Sequence, residues 1–173
     1  MPQSWWASDV LERGGPVLLY SWVVLVMVSI VLHELAHGWA AIRLGDDTPI
    51  HAGHMTLNPL VHMGPVSLLV FALAGIAWGA MPVDPSRIRG RHGEALMAFA
   101  GPAMNLLLAL IFAALAALLV ALADRGVIPP LARSELAGHG WAFFSLGVML
   151  NLALAIFNLA PVAPLDGSRV LSS

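Results

Sequence analysis

The chain contains no cysteine and no lysine, and only 10% of its 173 residues are charged. Without cysteine it forms neither disulfides nor thiolate metal sites, so any metal ion must be held by histidine and carboxylate ligands. All eight of its basic residues are arginine and the net charge is −2, which leaves no basic stripe for nucleic acid and no polybasic tail for anionic lipid. Soluble domains carry roughly 25% charged residues, so this composition excludes an ordinary water-soluble protein.

Apolar residues, in contrast, are abundant: 59% of the chain is hydrophobic and the mean hydropathy is +0.83. A helix of about 20 apolar residues spans a bilayer core, and the apolar segments of this chain are 16–44, 65–81, 95–123 and 141–159. No change in composition marks a second unit, so we predict one membrane-embedded domain over residues 1–173. The predicted fold is an all-α membrane protein, a bundle of about four transmembrane or re-entrant helices with short extended loop elements.

The second apolar segment leaves the topology open. It lies near the lower length limit for a span and contains Gly75 and Gly79, so it either crosses the membrane or re-enters on one side. The loop after it holds Arg87, Arg89 and Arg91, which favour the cytoplasmic side. We favour re-entry, which places the loops before and after the segment on the same face. Cysteine-accessibility labelling that found them on opposite faces would refute this.

The first apolar segment contains the pentapeptide His33-Glu34-Leu35-Ala36-His37. Residues four apart lie on one face of a helix, so both imidazoles can approach one Zn²⁺ while Glu34 projects beside the ion toward a bound water. The same pattern also arises by chance, and the alternative is two hydrogen-bonded core histidines with Glu34 paired to an arginine. Because burying three such groups in a membrane for structure alone is costly, we predict a metal site.

Catalytic zinc usually has three protein ligands, so a third ligand must come from elsewhere in the chain. Asp166 is the leading candidate, because it follows the last apolar segment and two helix-breaking prolines, and Gly167 leaves room for close approach. Taken alone, Asp-Gly after a proline would indicate a turn. Together with the distant histidine motif, it indicates a ligand.

Four motifs occur in a fixed order along the chain. They are His33-Glu34-Leu35-Ala36-His37-Gly38, Leu57-Asn58-Pro59, Gly101-Pro102-Ala103-Met104-Asn105 and Asn158-Leu159-Ala160-Pro161-Val162-Ala163-Pro164-Leu165-Asp166-Gly167. In this order they resemble the site-2 protease family of intramembrane zinc metalloproteases, in the compact form that lacks a PDZ or nucleotide-sensing domain. The resemblance covers about residues 31–171, and the first and last motifs are its most specific parts.

The resemblance implies an enzyme that hydrolyses a peptide bond within or next to a transmembrane segment. It implies one Zn²⁺ per chain, with His33, His37 and Asp166 as ligands and Glu34 as general base. The implied partners are a transmembrane protein substrate and the lipid bilayer of a bacterial or archaeal cell, and no oligomeric state is implied. The alternative is a membrane metal-binding or transport protein that uses the same residues.

The resemblance also suggests that Asn105 and Asn158 bind the substrate backbone or stabilise the tetrahedral intermediate. For each of them, a helix–helix hydrogen bond in the membrane is the alternative. Only seven residues follow Asp166, whereas family members usually continue with further helix, so we expect a C-terminus that is shortened relative to the family.

The loops add two further hypotheses. A helical substrate must unwind before cleavage, and an extended edge near the zinc can hold it by strand pairing; the candidate edges are residues 55–57, within a short predicted strand at 54–57, and residues 78–83. The nearby His51, His54 and His62 suggest a second metal site, but their spacing fixes no coordination geometry. We therefore interpret them as solvated loop histidines.

Overall fold

The computed structural model describes residues 5–127, 136–162 and 165–172. Within these ranges all regular structure is helical, which confirms the predicted fold class. The elements are α1 (Trp6–Leu44), α2 (Thr48–His51), α3 (Pro59–Ala74), a 3-10 turn (Pro85–Arg87), α4 (Gly93–Asp124), α5 (Leu136–Asn158) and α6 (Asp166–Ser172). The strand predicted at 54–57 does not form, because this backbone turns: the Thr56 N–H donates to the His54 carbonyl at 2.9 Å.

Three of the described helices are long and apolar enough to cross a membrane, by length and composition. They are Trp6–Leu44, Gly93–Asp124 and Gly138–Asn158. The shorter α3 is equally apolar but has only 16 residues. The protein is therefore a membrane protein in which three helices have the length of a span and a fourth apolar helix does not.

The ends of α3 explain why this helix lies earlier in the chain than the predicted segment 65–81. Asn58 caps its start, accepting a hydrogen bond from the Leu60 N–H at 3.0 Å, and Pro59 occupies the first turn, where no N–H is needed. Gly75 ends the helix in the left-handed conformation, with φ 73°. The Leu-Asn-Pro motif is thus the start signal of α3, and residues 76–83 follow as a non-helical segment.

α1 begins earlier than the apolar run at Pro16, because a first helical stretch from Trp6 precedes a sharp kink at Gly15, where φ is 69° and ψ is −176°. The indole N–H groups of Trp5 and Trp6 both donate to the Ala72 carbonyl near the end of α3, at 2.9 and 3.0 Å. These hydrogen bonds join the first residues of α1 to the C-terminal end of α3.

The chain before α3 and the chain after residues 76–83 meet at one end of the protein. The Asp84 N–H donates to the fully buried Asp46 carboxylate at 2.7 Å, and the Arg89 N–H donates to the Leu44 carbonyl at 2.8 Å. Desolvation alone would raise the pKa of Asp46, but hydrogen bonds from Thr48 and from the Asp84 N–H outweigh it and hold the pKa below its usual value. Both loops therefore lie at the same end of the protein, and re-entry of the second apolar segment stays a prediction.

α4 is the central helix of the bundle and packs against α1, α5 and α6. Its buried face includes Ala98, Gly101, Ala109 and Ala116, and small residues of this kind let helix backbones approach closely in a membrane. α5 is joined to α1 by a buried hydrogen bond of 3.0 Å from Asn151 Nδ2 to Ser29 Oγ. This packing brings the late part of the chain to the histidine motif of α1.

Candidate metal centre

Three predicted ligands converge on one point. Nε2 of His33 and Nε2 of His37 are 3.0 Å apart, one helical turn from each other on α1. The Asp166 Oδ2 atom, at the start of α6, lies 3.2 Å from the first and 3.3 Å from the second. Among the residues that the structure describes, this is the only group of three or more such side chains close enough to hold one metal ion.

The spacing of these three atoms fits a tetrahedral metal ion. Zinc bonds of about 2.0–2.1 Å place neighbouring ligand atoms about 3.3 Å apart, close to the three separations observed. Both imidazoles are buried and Asp166 is half-buried. Desolvation alone would raise the pKa of Asp166, but its contacts with the two imidazoles hold it well below the usual range. An ionised carboxylate beside two imidazole nitrogens is a typical zinc ligand set.

The orientation of both imidazoles is fixed from behind by α4. His33 Nδ1–H donates to Asn105 Oδ1 at 3.2 Å, and His37 Nδ1–H donates to the Met97 carbonyl at 2.8 Å. A proton on each Nδ1 leaves the lone pair of each Nε2 for the metal, as is usual for histidine ligands. Sequence reasoning missed the Met97 carbonyl, since a backbone group carries no residue signature.

Gly101 allows α4 to come this close. A Cβ atom there would lie 2.3 Å from His37 Nε2 and 2.6 Å from His33 Nε2, far inside any normal contact. The glycine of the Gly-Pro-x-x-Asn motif is therefore a requirement of the metal site, because any side chain would occupy the space between α4 and the two ligands.

Asp166 is held in place by tight packing of the residue that follows it. A Cβ atom on Gly167 would lie 2.2 Å from the Leu159 carbonyl oxygen, so α6 starts in direct contact with the chain that leaves α5. The Ser168 hydroxyl donates to the Leu165 carbonyl at 2.7 Å, and α6 packs on α4. The short α6 therefore places its first residue at the metal site.

Glu34 is buried beside the ligand atoms but belongs to no ligand group. It faces a cavity of about 510 Å³ that also exposes His33, His37, Asp166 and Asn158. Residues 76–81 and 83 form one wall of the cavity, and we call the segment 76–83 the wall segment. A Cβ atom on Gly79 would lie 2.6 Å from Glu34 Oε1, so the backbone of the wall segment touches the carboxylate.

The two predicted asparagines both line this cavity but differ in their contacts. Asn105 is fully buried, and its Nδ2 has no hydrogen-bond partner among the described residues while its Oδ1 accepts from His33. Asn158 is half-buried, and its Nδ2 donates to the Leu154 carbonyl of its own helix at 3.0 Å. Both asparagines line the cavity, and their predicted roles in binding the substrate remain predictions.

The loop histidines do not form a second metal cluster within the part of the chain that the structure describes. His51 is exposed, as expected of a solvated loop side chain. His62 is only 2% exposed, so the interpretation as a solvated histidine is wrong for this residue. It lies within α3, where its Nε2–H donates to the Thr56 carbonyl at 2.7 Å.

Sequence comparisons find relatives that carry the name "putative zinc metalloprotease". YwhC of Bacillus subtilis is 38% identical over 152 residues, which cover 86% of this chain and 66% of YwhC. Rip2 of Mycolicibacterium smegmatis is 28% identical over 97% of this chain and 62% of Rip2, and sll0528 of Synechocystis is 30% identical over 94% of this chain and 34% of sll0528.

The chain thus spans 66% or less of the length of each of these three relatives. No family model and no solved structure matches it. The names of the relatives and the possible His33, His37 and Asp166 metal site agree on zinc as the metal. Together, these findings support a zinc metalloprotease.

Proposed function

We propose that this chain is an intramembrane zinc metalloprotease of the site-2 protease type, which hydrolyses a peptide bond within or next to a transmembrane segment. The observation that carries the proposal is the convergence of two histidines from α1 and a carboxylate from α6 beside Glu34. The two histidines lie in α1, a helix long and apolar enough to cross a membrane. A hydrolytic site at that place acts on a substrate that is itself in the membrane.

Zinc, when bound by His33, His37 and Asp166, supplies Lewis-acid polarisation of a carbonyl and makes water acidic at near-neutral pH. Glu34, which is free of the ligand set, accepts the proton of the attacking water and delivers it to the leaving amine. The low polarity of the buried cavity strengthens these electrostatic interactions.

A substrate helix must open locally, because its carbonyls are bonded to its own amides. Of the two candidate edges, residues 78–83, which lie in the wall segment, are better placed than residues 55–57 to hold the opened peptide. The wall segment lines the cavity beside Glu34, which its Gly79 backbone contacts, whereas residues 55–57 are not among the residues that line it. Met55 does approach α1 at Gly38, where a Cβ atom would lie 2.7 Å from its sulfur. Crosslinking of bound substrate to the wall segment is the expected outcome, and its absence would remove the assignment.

The two asparagines are expected to respond differently to alanine substitution. Asn105→Ala removes the acceptor that orients His33 and is expected to weaken zinc binding by about 10–100-fold as well as turnover. Asn158→Ala leaves the ligands untouched and is expected to slow turnover by about 10²–10³-fold at unchanged zinc affinity, as for a lost oxyanion donor. Competitive zinc titration and single-turnover cleavage measure the two effects.

Asn151→Ala is the matched control, because Asn151 is as buried as Asn105 but bonds α5 to α1 and does not line the cavity. It is expected to change thermal stability without a specific effect on zinc affinity. If Asn105→Ala and Asn158→Ala lowered zinc affinity equally, the different roles assigned to them would be wrong.

The orientation of the protein in the membrane is proposed from the arginines of the loop that follows the wall segment. Arg87 is paired with Asp47 at the end of the protein where α1 terminates, and Arg89 and Arg91 lie in the same loop. By the positive-inside tendency, this end faces the cytoplasm of a bacterial or archaeal cell, and the protein crosses the membrane several times.

The proposal is tested with purified protein in liposomes and a fluorescent single-span substrate. Removing zinc with a chelator is expected to stop cleavage. Adding zinc back is expected to restore cleavage in the protein whose His33, His37 and Asp166 side chains are unchanged. Movement of zinc across the liposome membrane without cleavage would overturn the proposal and favour a metal transporter.

A further inference from the structure

The wall segment reaches Glu34 at a defined register. Its closest approach is at Gly79, where an added Cβ atom would lie 2.6 Å from both Oε1 and Cγ of Glu34 and 2.8 Å from the Ile30 side chain. The contact is therefore between peptide backbone and carboxylate. Because the wall segment has no helix or strand pattern of its own, something outside it must fix this register.

Ser67 on α3 supplies a two-point contact directly next to Gly79. Its hydroxyl donates to the Trp78 carbonyl at 2.7 Å and accepts from the Trp78 N–H at 2.9 Å. One hydroxyl thus satisfies both backbone groups of Trp78, as a paired strand would do in a sheet. Ser67 is 1% exposed, so no solvent competes for these bonds.

A second contact fixes the other side of Gly79. The Ala80 N–H donates to the His62 carbonyl at 2.9 Å, and His62 lies on α3, as Ser67 does. The wall segment is therefore held to α3 at the residue before Gly79 and at the residue after it. Between these two points the Gly79 backbone has little freedom to move away from Glu34.

We propose that Ser67 is a positioning residue for Glu34. By binding both backbone groups of Trp78, it holds the Gly79 backbone against the carboxylate of Glu34. This contact sets the direction in which the carboxylate faces the cavity. The proposal rests on the proposed function, in which Glu34 handles the proton. A misplaced general base loses much of its effect, and a displacement of about 1 Å is enough to slow a reaction by about 100-fold.

The test compares Ser67→Ala with Ser29→Ala. Both remove a buried serine hydroxyl, because Ser29 is 0% exposed. The hydroxyl of Ser29 bonds Asn151 of α5, whereas the hydroxyl of Ser67 bonds the wall segment. Ser67→Cys keeps the size of the side chain with a weaker donor and acceptor. Each variant is assayed for zinc content, kcat and KM, and for amide hydrogen exchange in peptides that cover residues 76–83.

Ser67→Ala is expected to lower kcat by about tenfold to 100-fold, with zinc content and KM within about twofold of wild type. The kcat of Ser67→Cys is expected to lie between that of wild type and that of Ser67→Ala. Exchange across residues 76–83 is expected to accelerate in Ser67→Ala and to stay unchanged in Ser29→Ala. An effect on KM alone, or equal losses of kcat in Ser67→Ala and Ser29→Ala, would overturn the proposal.

Hydrogen exchange separates this proposal from the proposed function. If the wild-type protein cleaved no membrane substrate, the proteolytic function would fail, and a faster exchange of residues 76–83 in Ser67→Ala would still support the hold of Ser67 on the wall segment. If the exchange of those residues did not change in Ser67→Ala, the positioning role would be wrong whatever the cleavage assay showed.

Discussion

Glu34→Gln is expected to lower peptide-bond cleavage by about 10²–10⁴-fold, the usual contribution of a general base, while zinc stays bound. Glutamine keeps the shape of the side chain next to Gly79 but takes up no proton. The proposed ligand atoms belong to His33, His37 and Asp166, so the exchange of carboxylate for amide removes none of them. Zinc content by mass spectrometry and cleavage in liposomes check the two halves of this prediction.

Glu94→Gln is the matched control, because Glu94 lies exposed in the first turn of α4 and does not line the cavity. It is expected to cleave at the wild-type rate. Loss of zinc from Glu34→Gln would mean that Glu34 belongs to the metal site itself, and full activity would remove it as the base. A zinc transporter would tolerate the substitution, so the same variant separates the two candidate functions.

The grouping of His33, His37 and Asp166 could be predicted from the sequence because it depends on residue types and local spacing. His33 and His37 are four apart on a helix, and this spacing alone puts them on one face. Asp166 is far away in sequence, but the breaking prolines and the following glycine marked it as an unusual carboxylate at the end of an apolar segment. The structure brings all three together.

The surroundings of the ligands could not be predicted, because they arise from contacts between distant backbone groups. The Met97 carbonyl orients His37, and any residue type at that position would offer the same oxygen. The burial of His62 also depends on tertiary structure, since its Nε2–H donates to the Thr56 carbonyl and its carbonyl accepts from the Ala80 N–H of the wall segment. Its sequence position next to a polar loop indicated solvent instead.

Glycine has a similar ambiguity in the sequence. Gly75 and Gly79 predicted only that the second apolar segment was interrupted, yet one of them ends α3 and the other makes room for Glu34. The Gly-Pro-x-x-Asn motif by itself was weak evidence for a metal site. In the structure its first and last residues make different contacts with the histidines. Gly101 admits α4 to the ligands, and Asn105 orients one of them.

Gly101→Ala is consequently expected to weaken zinc binding by at least about 100-fold, the upper range for loss of support behind a ligand, and to stop cleavage with it. The new methyl group would lie 2.3 Å from His37 Nε2 and 2.6 Å from His33 Nε2, so either α4 or both imidazoles must move. Alanine favours a helix over glycine by about 1 kcal/mol, so the substitution by itself favours helical structure in α4. Zinc titration measures the loss of metal affinity, and the thermal unfolding of the metal-free protein measures the effect of alanine on the stability of α4.

Gly138→Ala provides the comparison, because it makes the same change within α5 at a position where, in the part of the chain that the structure describes, no other element lies within 4 Å of the added carbon. It carries the same helix preference and no contact with the metal site, so zinc affinity and cleavage are expected to stay at the wild-type level. Normal zinc binding in Gly101→Ala would mean that α4 can withdraw from the imidazoles without releasing the metal. The close approach of α4 would then be a packing feature, and the orientation of the ligands would rest on Asn105 and the Met97 carbonyl alone.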